Sequence, residues 1–150
     1  MKLYGPGLVV VADGAHARAF EERVRGGPLV EITAQLGELG SKGAKHSSHT
    51  GRVHDRFGSA SHTTGGDSPR VKAEEAFSRR LAVRSVDLMA TGSYENLVLI
   101  AAPRALGDLR AALGPGGPGR TLESEAADRV KERPPALREA LRRLRSKPDH

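Results

Sequence analysis

An α/β domain, one mixed sheet with helices on both faces, is the fold class this sequence predicts, and three observations predict it. Two continuous apolar runs, Leu8–Ala12 and Leu97–Ala102, fit strands buried on both faces better than half-exposed ones. Helix-start signals stand between and after them: Ser68-Pro69, Pro103 directly behind the second run, and Pro134-Pro135. The length of 150 residues is that of one domain with one core, and the absence of cysteine excludes a disulfide framework and thiolate chemistry.

The elements follow in order. Strand one covers about 8–12. Residues 17–24 set Phe20 and Val24 among small and polar residues and predict a second strand, closed by the turn Arg25-Gly26-Gly27-Pro28. Leu29–Leu36 places Val30, Ile32, Ala34 and Leu36 on one face and Glu31, Thr33 and Gln35 on the other, which predicts a half-buried antiparallel strand. From about 38 to 68 there is no periodicity, only Gly, Ser, Thr, His and basic residues. A segment that buries so little does not offset the cost of ordering it, so a flexible basic loop is expected.

Ser68 is the expected N-cap of a helix running from Pro69 to about Ala90, stopped at Gly92, with Ala73, Phe77, Leu81 and Leu88 on its inner face. Pro103 opens the next helix. It turns Leu106, Leu109 and Leu113 inward, and Gly107 is expected where the helix packs closely on the sheet. Thr121–Ala126 reads as a short edge strand. The basic C-terminal helix, about 134–146, puts Leu137, Ala140, Leu141 and Leu144 inward and Arg138, Arg142, Arg143 and Arg145 on its other faces. The order βββαβαβα matches the ribonuclease H-like arrangement: a mixed five-stranded sheet in which 8–12 and 97–102 are adjacent and central.

The net charge of +6 is unevenly placed. Residues 1–36 and 71–127 each sum to zero, whereas 37–70 carry +2 and four of the six His, and 128–150 carry +4. A basic loop and tail suit a phosphate-rich partner; a general preference for Arg (18, against 6 Lys) explains the same excess without one. The first apolar run is too short for a secretory core and no segment is long enough to span a bilayer, which predicts a cytoplasmic protein.

Val-Val-Val-Ala-Asp-Gly-x-x-Ala-Arg-x-Phe at 9–20 and Leu-Val-Leu-Ile-Ala-Ala-Pro-Arg-x-Leu-Gly-x-Leu-Arg at 97–110 together resemble the bacterial host attachment protein family. The resemblance runs from Leu8 to about Leu144. It implies a non-enzymatic, attachment-associated protein, and a relation to the ribonuclease H-like middle domain of archaeal and eukaryotic class-one peptide-chain release factors. One departure is Glu125-Ala126-Ala127-Asp128-Arg129-Val130-Lys131, where the family has an acidic-to-Lys-Asp-Leu-Thr segment.

The candidate binding residues are Asp13, Arg18, Pro103, Arg104, Gly107 and Arg110. Asp13 either accepts hydrogen bonds from its own turn or belongs to a site. Arg104 stands at the end of a strand and the start of a helix, where it could hold a carboxylate or phosphate or else pair with Asp13 or Asp108. Arg18 and Arg110 would extend such a site. No catalytic residue is expected: a two-metal nuclease needs several converging carboxylates, and the second run ends instead in Ala101-Ala102-Pro103-Arg104. Gly65-Gly66-Asp67 stands where the release-factor domain has its Gly-Gly-Gln loop tip, with Asp for Gln, so peptide release is not implied. His46, His49, His54 and His62 have spacings that no helix or strand would hold, so neither a metal nor another cofactor is expected. An aromatic content of 3% argues against a base-stacking platform.

Two functions stay open. One is a non-enzymatic attachment-family protein acting indirectly from the cytoplasm. The other is a ribosome- or RNA-associated translation factor without peptide-release activity.

Overall fold

The computed structural model describes residues 5–41, 68–115 and 121–146. The elements follow the expected order: β1 (Gly7–Ala12), β2 (Ala17–Glu22), β3 (Val30–Glu31), α1 (Pro69–Thr91), β4 (Asn96–Ala101), α2 (Pro103–Leu113), β5 (Thr121–Ala126) and α3 (Pro134–Ser146). Every residue of β1 and β4 is buried. They pair in parallel, Val9 beside Val98 and Val11 beside Ile100, at the centre of a five-stranded mixed sheet of order β3-β2-β1-β4-β5. β2 is antiparallel to β1, and β5 runs parallel to β4 at the edge.

Side chains alternate across each strand, so the sheet sorts its residues into two cores. Leu8, Val10, Leu97 and Leu99 face α1 and α2, together with Leu81, Leu88, Leu106 and Leu109 from those helices. Val9, Val11, Phe20, Val98 and Ile100 face α3 and meet its Leu137 and Leu141.

The bounds of α1 follow from its caps. Ser68 Oγ accepts from the Val71 amide at 3.2 Å, and the Gly92 amide returns to the Leu88 carbonyl at 2.9 Å. Its buried stripe is Ser78, Leu81, Ala82, Ser85, Leu88 and Met89. Ala73 is exposed, contrary to expectation, because it lies about 80° round the helix from Leu81.

The third strand is the main correction. Only Val30–Glu31 pairs with β2, both residues are exposed, and Thr33–Leu39 is a 3-10 helix. Beyond Ile32, whose amide still donates to the Ala19 carbonyl, the ladder is taken over by a side chain: Thr33 Oγ1 accepts from the Ala19 amide at 3.1 Å. The buried residues are then Thr33, Leu36 and Leu39, the three-residue repeat of a 3-10 turn. Gly37, at φ +65, kinks the segment between the two leucines. The chain touches the sheet again where Gly40 bridges Ala17 and the Ser41 amide donates to the Ala17 carbonyl. Residues 38–41 therefore belong to the packed body and not to the expected loop. Ser68, at the other end of that loop, caps α1, and residues 42–67, with Gly65, Gly66, Asp67 and the four histidines, lie outside the described residues.

Candidate functional site

The parallel strands end together, since Ala12, Ala101 and Ala126 are in register. Beyond them the Ala102 amide donates to the Ala12 carbonyl and the Ala127 amide to the Ala101 carbonyl. From this end α2 leaves toward one face of the sheet, whereas the chain after β5 crosses to α3 on the other. In an open α/β sheet, strand ends flanked by such a divergence are the usual place for a ligand.

Asp13 occupies the end of β1 and closes its own turn. Its Oδ1 accepts from the amides of Ala15 at 3.0 Å and His16 at 2.8 Å, and Gly14 adopts φ +105. His16 Nδ1 lies 3.2 Å from both carboxylate oxygens, which leaves the opposite edge of a half-exposed ring toward solvent. Glu74 of α1 covers the turn, and Arg70 holds it from one turn earlier at 3.4 Å. Reading residue types alone missed His16; the Asp-x-x-His spacing within a turn is the signal that could have found it.

The candidate residues do not converge on one cluster. Pro103 fills the first position of α2, where a missing N–H costs nothing. Arg104 is exposed and, among the described residues, pairs with neither Asp13 nor Asp108. Asp108 instead holds a buried Oδ2 with no hydrogen-bond partner among the described residues. Arg110 Nη1 donates to Ser124 Oγ of β5 at 2.8 Å. Gly107 corrects the packing expectation: it is exposed, and a Cβ there would meet nothing within 4 Å.

Arg18 is a structural clamp, not part of an open basic site. Nη1 donates to the carbonyls of Val130 at 2.9 Å and Glu132 at 2.6 Å, tying the segment before α3 to β2. Nε and Nη2 hold Glu31, whose carboxyl is lowered by that arginine and by Thr33 against the effect of burial. The guanidinium also lies 4.9 Å from the centroid of the Phe20 ring.

The expected basic face of α3 is corrected in the same way. Arg138 and Arg145 turn to the sheet, and both reach Glu22, which is 3% exposed, at 2.9 and 2.8 Å. Arg145 also holds Glu123 of β5 at 3.1 Å, and Arg25 holds that carboxylate from the β2 side, also at 3.1 Å. Burial alone would raise the Glu22 carboxyl. Hydrogen bonds from Arg145, the Gly26 amide and Arg138 outweigh it and bring the pKa to about 2. The Arg145 guanidinium is raised against its own burial by Glu22 and Glu123. Only Arg142 and Arg143 point outward, and both lean on Glu139.

The fold and its strand ends define the class: an α/β protein on a mixed five-stranded sheet, with the Asp-Gly turn of β1 beside the Pro-Arg start of α2. The family described as "protein required for attachment to host cells" matches residues 8–141, and the chain belongs to that family. No curated protein matches the chain. None of the helices among the described residues is long and apolar enough to cross a membrane.

Proposed function

We propose that residues 1–150 act as a single, non-enzymatic domain of the host attachment family, working by binding and indirectly, from the cytoplasm. One observation carries this reading: the carboxylate best placed for chemistry, Asp13, is engaged by two amides of its own turn. Arg18, the motif's cation beside it, is likewise occupied by backbone carbonyls and Glu31. The test is incubation of the purified chain with RNA and Mg²⁺ or Mn²⁺, beside Asp13→Ala. No cleavage is expected from either; metal-dependent cleavage that disappears in Asp13→Ala sinks the non-enzymatic reading.

A second reading, a ribosome- or RNA-associated factor related to release-factor middle domains but without peptide release, draws on a different observation. Arg79, Arg80, Arg104 and Arg133 are exposed and have no ion-pair partner among the described residues. Arg79 and Arg80 also border a groove of about 590 Å³ between α1 and the 3-10 segment. These are the cations to reverse, since reversing Arg138 or Arg145 would unfold the α3 face. Co-sedimentation with ribosomes should weaken steeply with salt, because bound phosphates release counterions, and weaken further in Arg79→Glu/Arg80→Glu. Absence of the chain from the ribosome pellet at low salt removes this reading.

A further inference from the structure

The two edges of the sheet are not alike. β3 is two residues long and the chain leaves it at once for the 3-10 segment, which leaves little to pair with. β5 is six residues, Thr-Leu-Glu-Ser-Glu-Ala, with no Pro, Gly or Lys and a continuous register against β4. Its outer side carries no strand among the described residues. Natural edges of this length are blunted by proline, a bulge or charged side chains, and here only Glu123 and Glu125, both held in ion pairs, are of that kind.

The direction of its backbone groups can be read from one bond. The Ala127 amide donates inward to Ala101. Backbone groups alternate along a strand, so Leu122, Ser124 and Ala126 present their N–H and C=O outward.

We propose that β5 is a self-association edge, on which a second copy of this chain adds its own β5, antiparallel, about a two-fold axis through Ser124. The sequence around that residue is self-complementary. Ser124 faces Ser124 of the second copy, and Leu122 faces its Ala126, all three positions with outward donors and acceptors. An isologous contact requires this match of a patch with itself. On the α2 side Leu122 borders a shallow notch with Arg110, Ala111, Gly114 and Pro115, and Arg110 lies along the strand with its guanidinium on the Ser124 hydroxyl.

On the α3 side Glu123 faces Glu125 of the second copy, a pairing that would be repulsive between bare carboxylates. Neither is bare: Glu123 is held by Arg25 and Arg145, and Glu125 by Arg129 at 2.8 Å. Arg145 is shared with Glu22 and Arg129 with Glu132, so these guanidinium groups offset the two carboxylates of each copy without an excess of positive charge. The occupant is therefore a second copy; a strand from another protein lacks the symmetry that places each of these groups against its counterpart.

The test is sedimentation velocity of the full chain over a range of concentrations, with two variants. A dimer that dissociates on dilution is expected. Ala126→Lys, at an exposed position that would face Leu122 of the second copy, should weaken it by about tenfold or more, with the circular dichroism and melting temperature of the monomer unchanged. Because the chain has no cysteine, Ser124→Cys reports the axis directly. A hydrogen-bonded antiparallel pair sets the two Cα atoms about 5.5 Å apart, within disulfide range. Mild oxidation should therefore cross-link Ser124→Cys and not the control Val24→Cys. A chain that stays monomeric at every concentration overturns the proposal and leaves the edge to a strand from another protein. A dimer that ignores Ala126→Lys, or that cross-links equally well at both cysteines, overturns it too.

Discussion

The two faces of the sheet are closed by different chemistry. On the α1/α2 face the buried cluster holds seventeen apolar residues, among them Leu8, Val10, Leu81, Leu97 and Leu99. On the α3 face it holds eight, and the outer part of that face is filled by Glu22, Glu123, Arg25, Arg138 and Arg145. The first face is held mainly by area removed from water, a contribution that needs no charged partner and tolerates small shifts. The second depends on geometry, because buried charges contribute only while each keeps its partners. A narrow amphipathic helix such as α3, with four leucine or alanine positions inward, covers too little of the sheet to seal it with apolar groups alone.

The largest expected effect comes from breaking the charged face. Arg145→Met leaves Glu22 buried with Arg138 as its remaining guanidinium partner, and should cost about 3–5 kcal/mol in urea unfolding. Adding Glu22→Leu should recover much of that loss; if it does not, the network is not the reason for the cost. On the apolar face, Leu81→Ala should cost about 2–5 kcal/mol by leaving a cavity, and the same amount at pH 3 as at pH 7.

The pH dependence sharpens the contrast. With a folded pKa of about 2 against an ordinary 4.5, Glu22 contributes stability that is present in full above about pH 4.5. That contribution, about 3 kcal/mol, fades as the pH falls toward 2. It should vanish from the acid melting profile of Glu22→Gln. At the alkaline end, burial and the hydrogen bond to Glu21 raise the Tyr94 hydroxyl to about 12. Its contribution is therefore present below pH 10 and is lost as the pH rises through 12; Tyr94→Phe should flatten that limb.

The smallest effect belongs to neither face. Gly107 sits mid-helix on the solvent side of α2 with open space about it, so Gly107→Ala should stabilise by about 0.5–1 kcal/mol, read as a higher melting temperature. A destabilised variant would mean that the exposed glycine serves a contact outside this chain.

What the sequence by itself determined is the centre of the fold. Uniform apolarity of Leu8–Ala12 and Leu97–Ala101 requires cover on both faces, and that places β1 and β4 side by side in the middle. The ends of α1 were equally legible, because Ser68-Pro69 and Gly92 act through bonds within four residues. Tertiary structure alone decided the rest. Val30, Ile32, Ala34 and Leu36 alternate like a strand, yet the Thr33 hydroxyl competes for Ala19 and the chain folds into a 3-10 turn. Arg18, Arg138 and Arg145 read as surface cations until Val130, Glu132 and Glu22, more than one hundred residues away in the chain, are brought beside them. Local propensity acts over a few residues and leaves its mark on composition. The partner of a charge is chosen by the packing of whole elements, and no spacing in the chain records it.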